Sequence, residues 1–158
     1  MRPQSQELYL DASFIVAYFV KAHTSHISAT KLMAELLINN NILCFSPLSL
    51  DEAFNAIYEE LKKTAPPSTS GYSHASFFSD LKDALDILLQ HQQMKLRQFE
   101  NDLQEGAKNA LENIKNYTMR PRDSFHLAYM QDLRIEYIVS KDRGFDKVEV
   151  INIKRVDY

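Results

Sequence analysis

Four short apolar runs, two near each end of the chain, constrain the fold more than any other feature of the sequence. Leu8-Tyr9-Leu10 stops at Asp11, and Ile42-Leu43-Cys44-Phe45 stops at Ser46-Pro47. Near the C-terminus lie Ile135 to Val139 and Val148 to Ile153. Each run is short, β-branched or aromatic, and bounded by polar or turn residues, so each reads as a strand. Near-continuous apolar character suits strands buried on both faces of a parallel sheet. Between the runs the period turns helical: over 12–21, over 27–38, over Ser49 to Lys63 with Leu50, Phe54, Ile57, Tyr58 and Leu61 on one stripe, and over Pro121 to Leu133. Strand–helix alternation at both ends predicts a three-layer α/β/α domain, with right-handed crossovers around a parallel sheet of about four to five strands.

The middle of the chain has a different texture. The stretch 64–73, TAPPSTSGYS, reads as a loop. From about 74 to 117 the pattern is helical again. Phe77, Leu81, Leu85 and Leu88 form one stripe; Leu96, Phe99, Leu103, Ala107, Ala110 and Ile114 form another; the Gln-His run at 90–93 marks a break between them. Nothing reads as a linker or repeat. One domain is expected over 1–158, with a helical insertion or cover at about 64–117.

Composition removes several classes of function. With 45% apolar and 25% charged residues the chain is ordinary globular material, which argues against disorder. No apolar run reaches the roughly 18 residues of a membrane-spanning helix, and the N-terminus has no signal-peptide pattern. A soluble cytoplasmic protein with no membrane role is expected. The lone Cys44 excludes an internal disulfide and a cysteine-based zinc site. A net charge of −3 gives no global basic footprint for nucleic acid, though it allows a local one.

In open α/β sheets ligands gather outside the carboxyl ends of the strands, so the residues at that edge matter most. Asp11 ends the first strand. Glu52 falls in the first turn of the helix after the second strand. Asp142 follows the third strand, in SKDRGFD, and Asp123 opens the helix that leads into that strand. That helix runs antiparallel to its strand, and its length of roughly 18 Å matches a strand of about 16 Å. All four carboxylates therefore come out on one side of the sheet.

Each acid also has a purely structural reading. Ser49 and Glu52 have capping-box spacing. Asp123, behind Pro121, suits a helix N-terminus. Asp11 reads as an N-cap and Asp142 as a turn residue. Taken together the structural reading weakens, because four converging carboxylates without cations raise one another's pKa. A divalent cation removes that penalty, and an oxygen-only donor set favours Mg²⁺ or Mn²⁺ over zinc. Such ions lower the pKa of bound water and neutralise charge on phosphate, which points to phosphodiester hydrolysis. With three glycines and no G-x-S-x-G or Walker A pattern, neither a nucleophile elbow nor a phosphate-cradling loop competes. Arg120 and Arg122 flank Asp123, and Lys141 and Arg143 flank Asp142. These cations either contact backbone phosphates or form ordinary solvated surface.

LYLDAS at 8–13, Glu52 within PLSLDEAFNAI, R-P-R-D-S-F-H-L-A at 120–128 and IVSKDRGFD at 138–146 together resemble the four acidic motifs of PIN-domain nucleases. The chain is similar to the small VapC-type toxin ribonucleases of that superfamily. The resemblance implies a parallel sheet flanked by helices and a metal-dependent ribonuclease acting through metal-activated water. It carries the catalytic, metal-holding quartet onto Asp11, Glu52, Asp123 and Asp142. Ser13 and Ser140 match small polar positions whose hydroxyls orient a carboxylate or bound water. Asp146 is either a peripheral ligand or part of a turn. Asp51 is the confounder of Glu52; adjacent helical residues point about 100° apart, so only one faces the site. The resemblance also implies an RNA substrate, a neutralising antitoxin that buries an apolar patch or inserts an arginine among the acids, and a homodimer.

Other candidates carry less. His23 and His26 have metal-ligand spacing but no third ligand nearby. His126, three residues after Asp123, reads as packing under the site. Tyr72, Phe77 and Phe78 form either an exposed patch for a partner or part of the core. A haloacid-dehalogenase-type phosphotransferase with Asp11 as nucleophile needs a second Asp where Ser13 stands. The non-enzymatic rival is a PIN-like RNA-binding or scaffolding module, which the intact quartet disfavours.

Overall fold

The computed structural model describes residues 5–64 and 74–158. Its strands are β1 (Glu7–Leu10), β2 (Ile42–Phe45), β3 (Met94–Leu96), β4 (Tyr137–Val139) and β5 (Lys154–Val156). Its α-helices are α1 (Ala12–Phe19), α2 (His26–Ile38), α3 (Pro47–Thr64), α4 (His74–Gln90), α5 (Leu103–Tyr117) and α6 (Pro121–Leu133). A 3-10 segment, Arg143–Ile151, lies between β4 and β5. The five strands form one parallel sheet in the order β3-β2-β1-β4-β5.

The alternation of side chains along the strands builds the layers. Leu8 and Leu10 of β1, Leu43 and Phe45 of β2 and Val139 of β4 join a cluster with Phe14, Ile15, Met33, Ile57 and Leu88. Tyr9, Cys44 and Ile138, the intervening residues, face the other way and pack with Met119, Leu127, Met130, Phe145 and Val148. Both faces are covered, as near-continuous apolar strands require, and each large side chain buried in this way contributes about 1.5–3 kcal/mol. Among the described residues no helix is long and apolar enough to cross a membrane.

Three expectations need correction. The run Val148 to Ile153 is not a strand; most of it belongs to the 3-10 segment, and the fifth strand follows at Lys154–Val156. Phe145 and Val148, both buried, are three residues apart, the repeat of a 3-10 turn rather than of a strand. Leu96 and Phe99 do not extend a helical stripe into α5. Met94–Leu96 pairs with β2 as an edge strand, and α5 starts only after Asp102, whose carboxylate accepts from the amide of Gln104 at 2.8 Å. Finally, α3 begins at Pro47, so Glu52 stands in its second turn and not its first. The loop expected over 64–73 lies, beyond Thr64, outside the described residues, as does Tyr72.

The register places the edge that matters. Leu10 is level with Val139, and the amide of Asp11 donates to the Val139 carbonyl at 3.2 Å. Asp11 and Ser140 therefore leave the sheet side by side at the carboxyl ends of the central strand β1 and its neighbour β4.

Candidate active site

Asp11 occupies the N-cap position of α1 but makes no side-chain capping bond. Its Oδ2 instead accepts two hydroxyl protons, from Ser13 and from Ser140, each at 2.6 Å. The first donor lies two residues on, in the first turn of α1, and the second comes from the residue that follows β4. Ser13 also bonds the hydroxyl of Tyr158, and burial pushes that phenol up to about 12. Two donors on one oxygen fix the carboxylate's rotation and leave Oδ1 to face the site.

The Ser140 hydroxyl also accepts from the amide of Asp142 at 2.9 Å, and Asp142 Oδ1 accepts from the amide of Gly144 at 2.7 Å. The turn after β4 is thereby locked with Asp142 beside Asp123. A methyl group at Gly144 would stand 3.0 Å from Asp142 Oδ1 and 3.7 Å from Asp123 Oδ2. The glycine thus keeps clear the space between two carboxylates. Burial, then the charges of Asp142 and Asp11, hold the Asp123 carboxyl above the ordinary carboxylate range, against the opposing pull of His126 and Arg120.

Glu52 approaches from the β2 side. It is free of capping duty because Ser46 and Ser49 cap α3 between themselves: the Ser49 amide donates to the Ser46 hydroxyl at 3.1 Å, and the Ser46 amide to the Ser49 hydroxyl at 3.3 Å. Glu52 is half-buried while Asp51 is exposed, so Glu52 is the one that faces inward. Its Oε2 lies 2.9 Å from Nε2 of His126, and its Oε1 lies 3.4 Å from Nε of Arg122. Ligand atoms of Asp11, Glu52 and His126 all fall within 4.8 Å of one another. Asp11 and Glu52 thus stand together with His126, while Asp123 and Asp142 stand beside one another about Gly144, outside that close group but within reach of the Asp11 charge.

The donor set fits a hard divalent cation. It is built of carboxylates, with one imidazole beside them, and Asp123 is held above its ordinary value first by burial and then by the charges of Asp142 and Asp11. His23 and His26 do not add to it. The Ser25 amide donates to His23, and His26 bonds the Ala17 carbonyl.

The remaining residues divide. Asp146 is engaged elsewhere: Arg155 Nε donates to its Oδ1 at 2.6 Å, which lowers the carboxyl below its ordinary value. Lys141 turns to the Ser25 hydroxyl at 2.6 Å and lies over the Tyr158 ring. Arg120 and Arg143 are exposed and, with Lys147, line a cleft of about 340 Å³ whose wall includes Asp123 and Asp142. Phe77 packs edge-on against Tyr58, whereas Phe78 is exposed.

Sequence reasoning missed Gly144, Lys147, Tyr158 and Tyr9, and gave His126 no polar role. Tyr9 carried a readable signal, since a phenol in an otherwise aliphatic strand has to find a hydrogen-bond partner once buried. Tyr158 and Lys147 carried none.

By sequence, a profile of the PIN domain family matches residues 8–151. No curated protein matches the chain significantly. Among solved structures, Mycobacterium tuberculosis VapC20, a Sarcin-Ricin loop cleaving toxin, is similar over 90% of this chain and 94% of its own, with a TM-score of 0.64 and 16% identity. VapBC2 from Rickettsia felis, bound to a DNA fragment from its promoter, is similar over 97% of this chain and 99% of that one, with a TM-score of 0.61 and 13% identity. At these identities the likeness is one of fold.

Proposed function

The chain belongs to the PIN domain family, and from that premise we propose that it is a divalent-metal-dependent endoribonuclease, the toxin of a toxin–antitoxin pair. The carrying observation is the gathering of carboxylates at one sheet edge, Asp11 with Glu52 and Asp123 with Asp142, where burial and then the charges of Asp142 and Asp11 raise the Asp123 carboxyl. A fold that tolerates this repulsion has a use for it, and binding a cation is the use that carboxylates at a sheet edge serve best.

Asp11, Glu52, Asp123 and Asp142 hold Mg²⁺ or Mn²⁺. When bound, the ion supplies Lewis acidity toward a phosphodiester and an activated water. Ser13 and Ser140 keep Asp11 in one rotamer. Arg120, Arg143 and Lys147 line the neighbouring cleft and take backbone phosphates of RNA, fixing its position without reading its bases. Arg122 leans on Glu52 from a largely exposed position, a contact that a bound cation would replace. The chain acts as one PIN-like domain in the cytoplasm, as a homodimer restrained by an antitoxin. The fold shared with a Sarcin-Ricin loop cleaving toxin supports an RNA substrate.

The test is cleavage of a structured and an unstructured RNA by wild type and Asp11→Asn, with Mn²⁺, Mg²⁺ or EDTA. Metal-dependent cutting that falls at least about a hundredfold in the variant is expected, because a bound metal supplies several kcal/mol of charge stabilisation and about 1.4 kcal/mol is tenfold in rate. Equal activity in both proteins would overturn the assignment. No saturable Mn²⁺ binding would favour the scaffolding alternative.

A further inference from the structure

A buried polar chain runs beneath the acids, and it connects one of them to the core. Tyr9 is fully buried in the centre of β1. Its hydroxyl lies 2.6 Å from Ser46 Oγ, accepts from Ser49 Oγ at 3.0 Å, and lies 2.8 Å from Nδ1 of His126. At the opposite side of the His126 ring, Nε2 lies 2.9 Å from Glu52 Oε2. The imidazole is 1% exposed and also packs edge-on against the Tyr9 ring at 5.6 Å. Both ring nitrogens are therefore occupied, and the ring cannot turn without losing both bonds.

The proton on Nε2 follows from its partner. The Glu52 carboxylate is acceptor-only, so the nitrogen facing it at 2.9 Å has to be the donor. A nitrogen that carries hydrogen offers no lone pair to a cation. The Tyr9 hydroxyl at Nδ1 holds the ring in the orientation that aims this hydrogen at Glu52. With Oε2 held from below, Oε1 is the oxygen left to turn toward Asp11 and its neighbours. Arg122 reaches it at 3.4 Å from a largely exposed position, a contact that is weak and easily exchanged.

We propose that Tyr9 and His126 are positioning residues that present Glu52 to the cation, and that His126 is not itself a metal ligand although its nitrogen lies among the ligand atoms. This rests on the metal-dependent reading above, but its central claim concerns the protein without metal. Partners that hold a ligating side chain in this way typically set metal affinity by 10–100-fold.

The experiment uses protein labelled with ¹⁵N-histidine. In metal-free protein and again with Mg²⁺, the His126 Nε2 resonance is expected to report a bound hydrogen. With Mn²⁺, pulsed electron resonance is expected to show no directly coordinated imidazole nitrogen. Calorimetry then follows Mn²⁺ binding in three variants whose folding is checked by circular dichroism. Tyr9→Phe and His126→Asn are expected to weaken binding by about tenfold or more, and His126→Gln, whose amide N–H reaches the Nε2 position, by less than about threefold. An Nε2 without hydrogen, a coordinated imidazole nitrogen, or wild-type affinity in His126→Asn would overturn the proposal. Absence of Mn²⁺ binding in wild type would instead overturn the functional reading, and the metal-free resonance tells the two failures apart.

Discussion

Asp123 is the residue on which burial and the neighbouring acids act together. Its carboxyl lies above the ordinary value because of burial first and the charges of Asp142 and Asp11 second. A raised folded-state pKa means that the folded protein holds this proton more tightly than the unfolded chain does. The resulting stability is fully present below the unfolded-state pKa and is lost as pH rises through the folded-state pKa. At neutral pH the charge is therefore destabilising. Asp123→Asn, without metal, is expected to melt above wild type at neutral pH, by a margin that shrinks as pH falls below the carboxylate range. Thermal melts at the two pH values check this, and a lower melting temperature at neutral pH would contradict it. Asp11, Asp123 and Asp142 were legible in the sequence because each stands where a strand meets a turn or a helix begins, and Glu52 because it lies within two turns of the start of the helix that follows β2. What could not be read was their support. His126 is three residues from Asp123, but its hydrogen-bond partners Glu52 and Tyr9 lie 74 and 117 residues away, and no local pattern encodes those pairings.

Between elements, Gly106 of α5 makes room for the Phe99 ring, which lies between α5 and Tyr129 of α6. A Cβ there would meet the Phe99 ring at 2.7 Å, and Phe99 in turn stacks on Tyr129 of α6 with centroids 4.0 Å apart. Alanine is the better helix former by roughly 1 kcal/mol, yet forcing the stacked pair apart costs about 1–3 kcal/mol. Gly106→Ala is expected to lose up to about 2 kcal/mol net in urea unfolding, as the difference of those two effects; a gain in stability would show that the ring yields freely. The same region explains why β3 was not legible. Only Met94 of its three residues is buried, and three residues are too few to reveal a period of two. The helices were legible because their apolar stripes span several turns. The short elements owe their form to the sheet they join.

For the whole molecule, metal binding and stability are linked. A ligand that binds only the folded state adds about 2.7 kcal/mol at a hundred times its dissociation constant. Mn²⁺ is expected to raise the melting temperature of wild type and, at the same concentration, to leave that of Asp11→Asn nearly unchanged; scanning calorimetry with and without EDTA decides it. An equal rise in both would mean that the ion binds away from the acidic edge.

The bond from Ser140 to Asp11 closes over 129 residues of chain, and that separation is also an interval of time. At ordinary rates of synthesis, roughly 5–20 residues per second, Ser140 is made about 6–26 s after Asp11. Through that interval β1 can pair with β2, but it has no β4 at its other edge, and Asp11 has one hydroxyl donor in place of two. Asp123 and Asp142 come late as well. A nascent chain therefore carries its acids unassembled, and the site closes only once β4 has emerged from the ribosome that makes it.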